Sequence, residues 1–152
     1  MKKSVWGPCI WKTIHTLTVK IKDSEFNNQK KGLIDIIYRI CTNLPCPMCS
    51  SHCRGLLRKY NVTRINTKEG LIKVMFKIHN DVNIRLKKSV FKYEELLSLY
   101  KSYNLRDVLN DYYNKNIESK FSEKMMLHNF HKMEFLKFFK NYVLKHIDYF
   151  EK

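Results

Sequence analysis

The sequence predicts an all-α fold, and three observations carry that reading. Apolar residues recur at steps of three and four along most of the chain, the spacing that gathers side chains on one helix face. Only four Gly and three Pro occur in 152 residues, hardly enough for the turns of an all-β fold. A content of 44% hydrophobic and 13% aromatic residues is enough for a packed core and excludes a disordered chain.

The first predicted helix starts at Pro8, a residue suited to an opening helical position, and runs to about Lys22, with Trp11, Ile14, His15 and Thr18 on one face. Asp23-Ser24 breaks it. A second helix, about Asn28 to Asn43, places Leu33, Ile36, Ile37 and Ile40 at core spacing. Leu44-Pro45-Cys46-Pro47 ends it, because a residue before proline is pushed out of the α region. Pro47 then opens a short third helix reaching about Tyr60. A fourth starts at Asn66, which with Glu69 reads as a capping box, and runs through Leu71, Val74, Met75, Ile78, Val82 and Leu86. A fifth, about Tyr93 to Tyr103, follows a turn at Lys87-Lys88-Ser89. Beyond it, Met126, Phe130, Met133, Leu136, Phe139, Val143, Ile147 and Phe150 form the stripe of a long amphipathic helix. The chain therefore divides into residues 1–103, which carry all the cysteines, and a helical C-terminal extension, 104–152, of unassigned role.

The formal net charge is +15, of which residues 1–100 carry +12 and residues 101–152 only +3. Such a charge favours nucleic acid or an acidic surface as partner. There is no Ala, while Lys, Ile and Asn abound, a bias that A/T-rich codons produce, so part of the lysine excess is compositional. No apolar run reaches the roughly 18 residues of a membrane span. The basic start Met1-Lys2-Lys3 is followed by Trp6-Gly7-Pro8 and Lys12, which interrupt any signal-peptide apolar region. The expected setting is a reducing compartment, where closely spaced cysteines are catalytic or metal-binding more often than structural. Five cysteines leave at least one without an intrachain partner.

Two constellations carry chemistry. Cys46-Pro47-Met48-Cys49 stands at a predicted helix start, where two intervening residues let both sulfurs meet and the unpaired N–H groups stabilise a thiolate. Arg54, Arg58 and Lys59 add positive charge nearby. The competing reading is zinc held by Cys46, Cys49, His52 and Cys53, but four ligands within eight residues rarely close a tetrahedron, which takes two separated pairs. The second constellation is His79-Asn80-Asp81-Val82-Asn83. Asn is a poor helix-interior residue, and His79 with Asn83 shares one face beside Val82 and Leu86, offering an imidazole and an amide over an aliphatic floor. Alone, that set reads as a satisfied core, as does Trp11 with His15.

Taken jointly and in order, these residues closely resemble the Erv/ALR-type FAD-linked sulfhydryl oxidases. The carrying residues are Gly7 with Trp11-Lys12-Thr13-Ile14-His15, then Leu44-Pro45-Cys46-Pro47-Met48-Cys49, then His79-Asn80-Asp81-Val82-Asn83-Ile84-Arg85-Leu86 with Lys88 and Phe91. The likeness spans about residues 5–100. It is nearest to the short forms encoded by large cytoplasmic DNA viruses, because Trp6-Gly7-Pro8 replaces the usual Gly-Arg, and Phe76 and Tyr93 stand where the cellular enzymes have a structural cysteine pair.

The resemblance implies a four-helix bundle with a short fifth helix, binding FAD and usually homodimeric. It implies that Gly7, Trp11, His15, His79, Asn80, Val82, Asn83, Leu86, Lys88 and Phe91 line the cofactor site, with Tyr100 where the family generally has Trp. It implies catalysis by Cys46 and Cys49. A substrate dithiol, expected on a thioredoxin- or glutaredoxin-like carrier protein, attacks Cys46, and Cys49 faces the flavin, which passes electrons to O2 to give hydrogen peroxide. The expected location is the host cytoplasm or virion of such a virus, with no resident metal. The alternative is a basic nucleic-acid-binding protein with a zinc-stabilised Cys/His cluster.

Overall fold

The computed structural model describes residues 2–118 and 126–152; positions 119–125 of the extension lie outside the described residues. The described chain is helical, and its only extended pairing is a single bridge between Ile21 and Phe150. In chain order the helices are α1 (Lys3–Lys20), α2 (Phe26–Thr42), α3 (Pro47–Lys59), α4 (Lys68–Arg85), α5 (Tyr93–Ser102), α6 (Leu105–Ile117) and α7 (Met126–His146). Short 3-10 turns stand at Val62–Arg64 and Ile147–Tyr149.

Helix α1 begins five residues earlier than the sequence implies, so Pro8 lies inside it. The bond that Pro8 lacks would have gone to the Ser4 carbonyl. Both residues are exposed, so that carbonyl stands where solvent can reach it. Gly7 also eases the clash that normally expels a residue before proline from the α region, having no Cβ. Trp6 and Ile10 are buried and anchor this added turn. At α4 the cap is Thr67, not Asn66: the Thr67 Oγ1 accepts the Gly70 N–H at 3.0 Å, while the Asn66 amide oxygen accepts from Lys30 Nζ.

Helices α1 to α4 enclose a core that includes Ile14, Leu17, Leu33, Ile36, Ile37, Leu57, Leu71 and Met75, all nearly inaccessible. Leu105, Leu109 and Tyr112 of α6, and Phe135, Leu136, Phe139 and Tyr142 of α7, belong to that same cluster. Helix α6 lies on α1, and α7 packs on α2 and α6. The last residues are strapped down by main-chain bonds: Lys22 N–H to Tyr149 O at 3.0 Å, Glu151 N–H to Lys20 O at 2.7 Å and Leu105 N–H to Lys152 O at 3.1 Å. The stripe expected on α7 holds only in its second half. Leu136, Phe139 and Phe150 are buried, but Met126, Phe130 and Met133 are 57%, 59% and 45% exposed. The inward face of α7 runs instead through Phe135, Phe139 and Tyr142.

A second, smaller cluster joins Val19, Ile72, Leu96 and Tyr100, with Phe76 and Tyr93 packed against it. Phe76 meets Tyr93 edge to face at 5.5 Å between ring centroids, which fixes α5 on α4 without a covalent link. Phe76→Ala is expected to destabilise by about 1–2 kcal/mol, less than for a fully buried Phe because this ring is half-buried. A chemical-denaturation midpoint equal to the parent's would contradict that contact's role.

Candidate functional site

One cleft of about 560 Å³ opens between α1, α3, α4, α5 and the segment joining α4 to α5. Its shape follows from local constraints. The Leu44–Cys46 turn is held by the buried Ser50 hydroxyl of α3, which accepts the Leu44 N–H at 3.1 Å. Cys46 caps α3: its sulfur accepts the Cys49 N–H at 3.2 Å, and Pro47 takes the first helical position. Cys46 and Cys49 are joined as a disulfide with Cα atoms 5.1 Å apart. Both sulfur-bearing residues are half-buried and both line the cleft.

The opposite wall is aromatic. The Trp11 indole lies parallel to the His79 ring, 4.0 Å between centroids and 8° between planes. His15 is wholly buried behind His79, with His15 Nε2 and His79 Nδ1 2.9 Å apart, and its other face stacks on Tyr100 at 4.7 Å. His15 Nδ1 is buried without a partner. A bare ring nitrogen is cheaper to bury than an orphaned N–H, which assigns the proton to His15 Nε2, donating to His79 Nδ1. His79 then keeps an N–H at Nε2 to offer a ligand in the cleft.

Of the residues expected at a cofactor site, Gly7, Trp11, His79, Val82, Asn83, Leu86, Lys88, Phe91 and Tyr100 line the cleft, as do Cys46 and Cys49. His15 and Asn80 stand behind the wall. The Asn80 amide clamps the Phe91 backbone, accepting its N–H at 2.9 Å and donating to its carbonyl at 3.1 Å. The turn after α4 is closed by Lys88 N–H to Asn83 O at 2.8 Å, with Lys87 in the left-handed region at φ 56°. Asn80 therefore aims Phe91 and Lys88 at the cleft. Tyr60 donates to Asp81 at 2.7 Å, tying the end of α3 to α4 and holding the Asp81 carboxyl below its ordinary range.

The sequence reading missed Lys3, Trp6, Ile10 and Tyr103, which also line the cleft. Lys3, Trp6, Gly7, Ile10, Trp11 and Ile14 follow one another at alternating steps of three and one, a single helix face legible once the helix is started before Pro8. With Lys3, Lys12, Arg85 and Lys88 as cations and Trp11, Phe91, Tyr100 and Tyr103 as ring faces, the lining suits a ligand having flat heterocycles and a diphosphate. The zinc alternative finds no support in the geometry: among the described residues no three or more His, Cys, Asp or Glu side chains are grouped to hold a metal ion. The Cys46 and Cys49 sulfurs are bonded to each other.

Burial, followed by the Lys88 charge, lowers the His79 pKa from 6.5 to about 4, and burial holds His15 well below its ordinary value. Both imidazoles are neutral at pH 7. Below about pH 6.5 the unfolded chain takes up protons that native His79 refuses, so its contribution is complete above that pH and fades as pH falls toward 4. At pH 5 the loss from His79 alone is about 2 kcal/mol. His79 ring resonances should hold steady from pH 8 to about 5.5; a titration midpoint near 6.5 would overturn the buried neutral pair.

Comparison with known proteins identifies the architecture. The pattern of the Erv1 / Alr family matches residues 8–103. A "FAD-linked sulfhydryl oxidase" of African swine fever virus is 33% identical over 95 residues, covering 62% of this chain and 79% of the relative. The "FAD-linked sulfhydryl oxidase ERV2" of Saccharomyces cerevisiae is 31% identical over 100 residues, 66% of this chain and 50% of the relative. A "Putative FAD-linked sulfhydryl oxidase 088R" of Frog virus 3 is 25% identical over 100 residues, 64% and 67% respectively. No solved structure matches significantly. The match ends at the Tyr103 that closes the cleft, and the chain belongs to the Erv1 / Alr family.

Proposed function

We propose that this chain is an FAD-dependent sulfhydryl oxidase that makes disulfides in substrate dithiols and delivers the electrons to O2 as hydrogen peroxide. The observation that carries this reading is the placement of a Cys46–Cys49 disulfide in the wall of the same cleft that offers stacking faces and cations. The donor set fits FAD. Trp11, His79, Phe91 and Tyr100 supply surfaces for its rings, while Lys88, with Arg85 and Lys12 near the rim, answers the diphosphate. When bound, FAD supplies the two-electron chemistry that links a dithiol to O2.

The chain's own residues perform the sulfur chemistry. A substrate thiolate attacks one sulfur of the disulfide, which we assign to Cys46, and the partner sulfur of Cys49 leaves as a thiolate. A second substrate thiol displaces Cys46 and completes the substrate disulfide. The Cys49 N–H bond and the start of α3 then stabilise Cys46 as a thiolate, poised to reclose on Cys49. Exposure does not distinguish the two sulfurs, so the assignment rests on the family resemblance. Met48, 76% exposed between the cysteines, gives an incoming protein an apolar contact beside the bond to be attacked.

The substrate is a dithiol protein of the thioredoxin or glutaredoxin kind, the active form a homodimer, and the setting the cytoplasm or virion of a large DNA virus. The substrate and the dimer are carried over from the family resemblance; likeness to viral relatives supports the viral setting. Among the described residues no helix is long and apolar enough to cross a membrane. The nucleic-acid reading has no comparable support. Purified protein is expected to be yellow, with about one FAD per chain and an absorption band near 450 nm that comes from the cofactor itself. A colourless protein that takes up no FAD would overturn the proposal.

A further inference from the structure

Helix α3 carries the disulfide at its start and has two unlike faces. Ser50, Cys53, Leu56 and Leu57 are buried, whereas Met48, Ser51, Arg54, Gly55 and Arg58 are exposed. The exposed face has two features that nothing within the chain uses. The first is its charge. On α2, α4, α6 and α7 a cation is matched by an acid one helical turn away. Helix α3 contains Arg54, Arg58 and Lys59 and no carboxylate. Asp81 of α4, which reaches the end of α3, is taken by Lys59 at 3.3 Å and Tyr60 at 2.7 Å. Among the described residues, Arg54 and Arg58 enter no ion pair. The cleft beside the disulfide continues the pattern: Lys3, Lys12, Arg85 and Lys88 line it, and no Asp or Glu does.

The second feature is Gly55. Apart from Pro, Gly is the least favourable residue in a helix interior. The Gly55 backbone is ordinary right-handed helix, and a Cβ added to it would meet nothing within 4 Å. Neither conformation nor packing inside the chain therefore calls for glycine. Its missing side chain leaves a notch on the outer face, between the two arginines and two turns from Met48, where the backbone of another chain can approach the helix.

We propose that the outer face of α3, from Met48 to Arg58, is the docking surface for the dithiol substrate, and that the substrate is a protein with an acidic segment beside its cysteine pair. This docking role rests on the oxidase reading above and adds where the substrate lies and what charge it carries. Met48 meets the substrate beside the sulfur under attack, Gly55 admits its main chain, and Arg54 and Arg58 pair with its carboxylates, for which the guanidinium fork is suited. The reach is short. Arg58 lies nine residues past Cys49, about 14 Å along the helix axis, which some four extended residues span. A nucleic acid would answer the same charge but brings no thiol to the disulfide.

The test uses the full, flavin-loaded chain and two synthetic peptides with the same Cys-x-x-Cys dithiol, one flanked on both sides by Glu runs and the other by Lys runs. At low salt, kcat/KM for the Glu peptide should exceed that for the Lys peptide at least about tenfold. The ratio should fall toward one in about 0.5 M salt, where charges a few ångström apart are already screened. R54E/R58E should abolish or invert the ratio. Because both peptides are read on one sample, partial misfolding or flavin loss slows them alike and cancels. Gly55→Gln should fill the notch and slow the Glu peptide at least about threefold, with dithiothreitol turnover unchanged. A parental ratio near one, or a preference for the Glu peptide that R54E/R58E leaves intact, would overturn the proposal, the latter by assigning the preference to the cleft cations. Altered sedimentation of R54E/R58E with both peptides slowed alike would overturn it in favour of a second copy of the chain. Loss of duplex-DNA binding with the peptide ratio unchanged would overturn it in favour of nucleic acid. Failure of the oxidase reading would instead appear as no dithiothreitol-dependent O2 consumption by the parent. The peptide ratio would then be read from the rate at which each reduces the Cys46–Cys49 disulfide, which needs no flavin.

Discussion

Cys49→Ser is expected to lower thiol oxidation at least about a thousand-fold, ~4 kcal/mol of activation free energy, while the flavin stays bound. The reason is the division of labour at the start of α3. Cys46 and Cys49 form the disulfide that lines the cleft, and the other cysteines are buried as free thiols. Serine is close in size to cysteine, and the interaction that builds the turn is made by the Cys49 backbone N–H, which the substitution keeps. The loop and the cofactor wall therefore survive, while the group that passes electrons onward in the proposed mechanism is gone. Cys46 remains as a capping thiol and should be trapped as a mixed disulfide by an oxidised substrate, visible as a mass adduct. The variant should stay yellow, and O2 consumption with a small dithiol should fall to background. Retention of parental turnover would remove Cys46–Cys49 from the mechanism. Cys9→Ser is the control: its thiol lies between α1 and α6, so turnover should not change.

The site was legible where one helix face carries several chemical groups. His79, Val82, Asn83 and Leu86 sit at helical spacing, and all four line the cleft. The disulfide could be anticipated from two intervening residues and a helix start. What the sequence conceals is which groups face a ligand and which aim those groups. His15 and Asn80 look equivalent to their neighbours along the chain, yet one backs His79 at 2.9 Å and the other clamps the Phe91 backbone. Only the crossing of α1 against α4 and the turn after α4 decide that. The start of α1 was hidden because proline is read as a helix opener, whereas Gly7 and an exposed Ser4 carbonyl let it lie inside. Helix α6 left a signal that was overlooked: Asn104 Oδ1 accepts the Asp107 N–H at 3.2 Å, and Leu105, Val108, Leu109 and Tyr112 follow at steps of three, one and three.

Removal of residues 105–152 is expected to cost the protein its soluble folded state. The family match stops at Tyr103, but the hydrophobic core does not. Leu105, Leu109, Tyr112, Phe135, Leu136, Phe139, Tyr142 and Phe150 all belong to the main cluster. Each fully buried large apolar side chain is worth about 1.5–3 kcal/mol of transfer free energy, so their partners on α1 and α2 lose contacts comparable in sum with the roughly 5–15 kcal/mol that holds a domain together. The conformational entropy of the deleted residues is recovered, which offsets part of that loss but does nothing for the surface left bare. The uncovered positions include Cys9 on α1, Ile21 just past its end, and Gly32 on α2, where an added Cβ would meet the Tyr142 ring at 3.6 Å. An apolar face of that extent must be covered by aggregation or by another copy of the bundle. The expected result is insoluble material, or a flavin-binding bundle that sediments as a dimer or larger. A truncated chain that binds FAD and sediments as a stable monomer would show that α6 and α7 are dispensable to the core, and would leave docking of a carrier protein as the reason for their presence.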